Sequence, residues 1–192
     1  LFLVLTIGFV SGMYVANESM ITSANEGVTK YKQEDGHFEL KKQADATLLS
    51  AIETGEKADF KATKTTLYEN FFRNEEEDYN NDGKKDGTIR VFAKTKDINL
   101  ACMLQGSFPQ KADEIAIDRM HADNVGIKVG DEITVGEEKY QVVGLIAYVN
   151  YSTLHEKSTD LMFDALKFNV AMVTDEGFAK LHKTIHYDYA WK

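Results

Sequence analysis

LFLVLTIGFVSGMYVA, Leu1 to Ala16, is the stretch whose reading decides the fold. It carries no charge and no proline, and its only polar side chains are Thr6, Ser11 and Tyr14, so immersion in hydrocarbon costs little. As a helix rising about 1.5 Å per residue it covers about 24 Å, slightly short of the roughly 30 Å core of a bilayer. The sequence opens on Leu rather than Met, which suggests a fragment whose first membrane residues are missing. Gly8, Gly12 and Ala16 fall four apart and leave one helix face almost bare, where a second membrane helix can pack closely. A secretory signal peptide would end in a small-residue cleavage site, and Met13-Tyr14-Val15-Ala16-Asn17-Glu18 offers no convincing one. A buried core helix fits poorly with apolar side chains on every face in a chain this polar. The expectation is a transmembrane helix over 1–16, truncated at its start.

Working outward, Met20, Ala24, Val28 and Tyr31 recur at helical spacing, and Asp35-Gly36 stops the pattern. A stalk helix over 17–35 is therefore expected to continue the membrane helix as one rod. The chain as a whole has the texture of a water-exposed protein, with 28% charged residues and a mean hydropathy of −0.35. With 43% apolar residues it has material for a core, so wholesale disorder is excluded. A net charge of −9 with no cluster of Lys and Arg argues against nucleic acid as a partner. Cys102 is the only cysteine, which rules out an internal disulfide; in Leu100-Ala101-Cys102-Met103-Leu104 it reads as a small buried hydrophobe.

Downstream, His37 to Leu40 reads as a strand, Ala44 to Thr54 as a helix closed by Gly55, and Thr88 to Ala93 as a half-buried strand. Asp59 to Leu67 fits no single pattern. From Gly106 the chain turns to short strands: Glu114 to Asp118, a helix over Arg119 to Val125, then Glu132 to Val135 and Tyr140 to Val149 as a hairpin. Phe168 to Val173 is a strand, Glu176 to Lys183 a helix capped by Thr174 or Asp175, and Ile185 to Lys192 a strand. The fold class expected is α+β. A mixed subdomain would take up 36–105 and 150–192, incomplete at its C-terminus, interrupted by an inserted β-rich subdomain over 106–149.

Asp113-Glu114-Ile115-Ala116-Ile117-Asp118, then Val125-Gly126-Ile127-Lys128-Val129-Gly130-Asp131-Glu132-Ile133, then Tyr140-Gln141-Val142-Val143-Gly144-Leu145 stand in that order behind an apolar helix and stalk. This order resembles the external core domain of MacB-like and FtsX-like ABC-transporter permeases. The resemblance implies a permease subunit in the cell membrane, with residues after about 17 extracytoplasmic. It also implies a separate or fused ATP-binding cassette as partner, and a second permease copy or paralogue as dimer mate. In such proteins ATP hydrolysis moves the external domain, for export, extraction or mechanotransmission. The segment itself would not be an enzyme and would carry no cofactor beyond a weak calcium ion. The alternative is a membrane-anchored extracytoplasmic binding or sensor domain with no ATPase partner.

The calcium reading comes from Asp78-Tyr79-Asn80-Asn81-Asp82-Gly83-Lys84-Lys85-Asp86. Asp78, Asn80, Asp82 and Asp86 put oxygens at alternating positions around a glycine turn, as a calcium loop does. Ile89 stands where the bidentate Glu belongs, and a solvated acidic turn explains the same residues. His182 and His186 are four apart, but Lys183 replaces the Glu of a zinc-protease helix, and they read as surface histidines. Tyr187, Tyr189 and Trp191 read as one face of a terminal strand rather than as an interfacial belt. No G-x-S-x-G, phosphate loop or dinucleotide fingerprint is present.

Overall fold

A computed structural model describes residues 2–55, 65–151, 153–156 and 159–192. The first element, α1 (Phe2–Lys30), is one unbroken helix of 29 residues, about 43 Å long at the usual rise. The apolar run and the stalk stripe join without a kink because no proline or capping residue separates them. Among the described residues no helix is long and apolar enough to cross a membrane. The uncharged run gives out at Asn17-Glu18, too soon for these residues to make a full crossing.

The body follows as β1 (Gly36–Leu40), α2 (Ala46–Thr54), β2 (Leu67–Glu69), β3 (Phe72–Asp78), β4 (Gly87–Ala93), β5 (Cys102–Gly106), β6 (Glu114–Asp118), α3 (Arg119–Val125), β7 (Glu132–Val135), β8 (Glu138–Ala147), β9 (Phe168–Val173), α4 (Asp175–Ala179) and β10 (Tyr187–Trp191). The short helices begin where the sequence supplies side-chain caps. Asp45 accepts from Leu48 N, Asp118 from Met120 N and His121 N, and Thr174 from Gly177 N. The last helix is shorter than the expected Glu176 to Lys183, because the chain leaves helical geometry after Lys180. Most of the ambiguous Asp59 to Leu67 segment lies outside the described residues.

Two sheets form. In the small one β10 lies between β1 and β2, antiparallel to both. In the large one the order β8–β6–β9–β4–β3–β7 returns to β8, so six strands close a ring, and β5 pairs with the far half of β8. Alternation along each strand sorts side chains by face. Ile89, Val91, Ile115, Ile117, Val142 and Val173 fill the ring, while Phe92, Ile146, Phe168, Val170 and Met172 form a second core on its outer surface. The sheet does not part at Gly106 or Val149, where the sequence suggested an inserted unit: β6 pairs with β9, and β7 with β3.

Where β5 peels away from β8, Gly106 adopts φ +78° and an added Cβ would lie 2.2 Å from Val143 O. A Cβ on Gly144 would lie 2.4 Å from Ser107 O. The crossing is that close because both positions lack a side chain.

Candidate functional site

The stalk meets the body through a short clamp. The N–H groups of Leu100 and Asn99 donate to Tyr31 O (2.8 Å) and Lys32 O (3.0 Å). Glu34 N donates to Asn99 Oδ1 at 3.0 Å, and Asn99 Nδ2 donates back to Glu34 Oε2. On the other side Asp35 N donates to Trp191 O at 2.8 Å. Tyr31 OH donates to Cys102 Sγ at 2.8 Å, so Cys102 is a half-buried acceptor at the start of β5 rather than the buried hydrophobe expected. Lys32 and Asn99 face each other with positive φ, 49° and 47°, which aims their backbone groups across the junction.

Beside the clamp a cleft of about 470 Å³ opens between the small sheet and the outer face of the ring. Its floor holds Asn70, Phe72 and Asp188, and Glu34, Arg90 and Tyr151 form its walls. Each nitrogen of Arg90 makes a hydrogen bond. Nε donates to Asn74 Oδ1 (3.0 Å), Nη1 to Tyr151 OH (2.9 Å) and Nη2 to Glu156 O (3.0 Å), with the guanidinium 4.4 Å over the Phe72 ring. It thereby fastens the long connection between β8 and β9 onto the outer core.

The carboxylates differ in company. Burial opposes the charge on Glu34, but hydrogen bonds from His37 and Asn99 hold its carboxyl below the usual range. The Glu34 partnership raises His37 above its usual value, against the effect of burial. Asp188 is pushed up to about 6, chiefly by burial, with only the Asn70 amide pulling the other way at hydrogen-bond distance.

A second polar cluster sits at one end of the ring. Glu77 and His121, both fully buried, approach to 3.3 Å at an angle too poor for a hydrogen bond. Asn169 Nδ2 donates to Glu77 Oε1 at 2.7 Å, and His121 Nδ1 lies 2.8 Å from Ala165 O. Burial disfavours the imidazolium, yet Glu77 prevails and His121 is raised above its usual value.

Gly8, Gly12 and Ala16 lie on exposed faces of α1, and a Cβ on either glycine would meet nothing within 4 Å. The Asp78 to Asp86 loop closes on its own backbone. Asp78 accepts from Asp82 N and Gly83 N, Asn80 from Asp82 N, and Asp86 from Tyr79 N. Asp82 accepts from both Lys84 N and Lys84 Nζ, which lowers its carboxyl. Among the described residues no group of three or more His, Cys, Asp or Glu could hold a metal ion. His182 and His186 share no element; His186 stacks on Phe72 at 4.6 Å and meets Glu39 at 2.8 Å. Tyr187 and Tyr189 lie on one face of β10, packed edge-on against Phe71, and Phe38 packs against Tyr189 and Trp191.

Sequence reasoning missed the cleft. Its residues come from positions 34 to 188, and only the alternation in β10, which places Asp188 opposite Tyr187 and Tyr189, hinted that an acid faces inward.

No family model matches the chain, and no curated protein matches it. Several solved structures are similar to it, two of which follow. One is the periplasmic region of MacB from Actinobacillus actinomycetemcomitans, at 10% identity and a TM-score of 0.41, covering 74% of this chain and 63% of that one. The other is the extracellular domain of the noncanonic ABC-type transporter YknZ from Gram-positive bacteria, at 11% identity and a TM-score of 0.42, covering 82% and 83%. The chain thus spans under two thirds of the MacB region it resembles.

Proposed function

We propose that this chain is the stalk and extracytoplasmic domain of a MacB/FtsX-like permease subunit, which moves when a partner ATP-binding cassette hydrolyses ATP. The observation that carries this reading is the clamp. Just past its end the long helix runs into hydrogen bonds with the Asn99-Leu100 turn before β5 and with the end of β10, so displacement of α1 is delivered to both rather than lost in a loose linker. The order of the Glu114 to Leu145 motifs behind an apolar helix agrees with it. The membrane anchor belongs to the proposal: the uncharged part of α1 would lie in lipid, with Gly8, Gly12 and Ala16 against another helix, such as that of a second permease copy.

The test is purification of the full-length protein from its native membrane in a gentle detergent, with mass spectrometry and an ATPase assay. A stoichiometric ATP-binding cassette supports the permease. A clean preparation with no such partner, and no ATPase segment elsewhere in the chain, overturns it in favour of an anchored binding or sensor domain.

Calcium at Asp78, Asn80, Asp82 and Asp86 belongs to that second reading. A cation there would displace the turn N–H groups and Lys84, so we expect affinity only in the millimolar range of weak extracellular sites. Amide resonances of residues 78–86 that shift on millimolar calcium support it, and unmoved resonances remove it.

A further inference from the structure

Four carboxylates line the cleft, Glu34, Glu39, Glu156 and Asp188, and two of them have a histidine partner. Glu34 lies 2.7 Å from His37 Nδ1, and Glu39 lies 2.8 Å from His186 Nδ1. Asp188 is the most buried of the four, at 5% exposure, and among the described residues no basic group lies within ion-pair distance of it; His37 acts on it only across a longer gap. Its Oδ2 accepts from Asn70 Nδ2 at 3.0 Å, and among the described residues no hydrogen bond reaches Oδ1. Arg90 does not pair with it: its hydrogen bonds run to Asn74, Tyr151 and Glu156. A buried carboxylate held by one neutral amide is costly to keep charged, and it stays costly until a cation arrives.

An independent observation points the same way. Asn150, which also lines the cleft, has its buried Oδ1 without any hydrogen-bond partner. The cleft is thus short of donors at two places. A metal ion fits poorly, since no three ligating groups converge among the described residues. A volume of about 470 Å³ accommodates a group the size of an amino acid or dipeptide.

We propose that this cleft binds an organic ammonium group, with Asp188 as its counter-ion and the Asn150 carbonyl as a second acceptor. The ammonium belongs to a free amine or to the N-terminus of a short peptide. The inference does not rest on the permease reading. Ligand binding is strongest above about pH 6, where Asp188 is ionised, and weakens as it takes up a proton.

The experiment titrates residues 1–192, in detergent micelles, with putrescine, glycylglycine amide and N-acetylglycylglycine amide, read by calorimetry and by amide shifts around residues 34, 90 and 188. We expect either ammonium compound to bind and the acetylated peptide to be silent. Asp188→Asn should weaken binding at least about tenfold, and the exchanged pair Asn70→Asp with Asp188→Asn, which returns a carboxylate to the same floor, should restore it. Binding by putrescine alone assigns small amines, and binding by the peptide alone assigns chain N-termini. Equal binding of the acetylated peptide, undiminished binding in a folded Asp188→Asn protein, or no binding up to about 10 mM overturns the proposal.

Discussion

Asp188 is a residue kept at the expense of stability. Its folded value of about 6 stands above the ordinary 3.8, so the folded state holds its proton more tightly than the unfolded chain. Stability therefore falls as pH rises from about 4 to 6 and is flat above, by at most roughly 3 kcal/mol for a gap of this size. Asp188→Asn should accordingly raise the melting temperature at pH 8 and leave it almost unchanged at pH 4, which calorimetry at the two pH values checks. His121 acts in a different window. Because its folded value is raised, its stabilising contribution is complete below about 6.5 and disappears as pH climbs through the raised value. Only the imidazolium can donate from Nδ1 to Ala165 O and also present an N–H at Nε2 to the Glu77 carboxylate. Glu77→Gln leaves that cation uncompensated and should cost about 3 kcal/mol at pH 6, less at pH 9, in urea unfolding. The sequence offered no sign of this pair. Glu77 and His121, 44 positions apart, are brought together only by the ring, and Glu75-Glu76-Glu77 reads as a solvated charge run until β3 turns Glu75 and Glu77 inward.

At the level of elements, the weak points are the places where two segments share a few exchanged groups. Asn99→Ala removes both side-chain bonds to Glu34 and puts Ala at positive φ, so a loss of about 2 kcal/mol is expected. Its signature is faster hydrogen exchange at residues 31–35 and a broader spin-label distance distribution between α1 and β9, with the ring's own exchange unchanged. Gly144→Ala places a methyl against Ser107 O and should destabilise by more than about 2 kcal/mol in the same urea assay. The helices were legible because each carries its own punctuation: Asp45 and Gly55 bracket α2, and Asp118 and Gly126 bracket α3. β4, β6 and β9 were legible because their side chains alternate or run apolar. β3 was not, since Phe-Arg-Asn-Glu-Glu-Glu-Asp satisfies no strand propensity and is held by pairing with β4 and β7.

For the molecule as a whole, the sequence conveyed the α+β class and the rod leading into it, but not the closure of the ring. Closure depends on β7 reaching both β3 and β8, and a hairpin pattern reports only its own two strands. The inserted subdomain was expected because the texture changes at Gly106. The change reflects a run of strands, β6 to β8, that pair within the same sheet. If the permease reading holds, Gly12→Leu should weaken co-purification of the second subunit while leaving the melting temperature of the body unchanged, because nothing in the body touches that position. Unaltered assembly in this variant would count against the helix face of Gly8, Gly12 and Ala16.

The antiparallel pairing of β1 with β10 sets Gly36 opposite Trp191 at one end of a five-residue ladder, next to the Asp35 to Trp191 bond. Force that drew these two points apart would open the ladder in an unzipping geometry, loading its bonds one after another, since they lie across the strands. Force that moved them together leaves the ladder unloaded. The body is therefore fragile to tension between its entry and exit and robust to being carried by both at once, a directional preference that single-molecule pulling from positions 35 and 192 would read as a low rupture force.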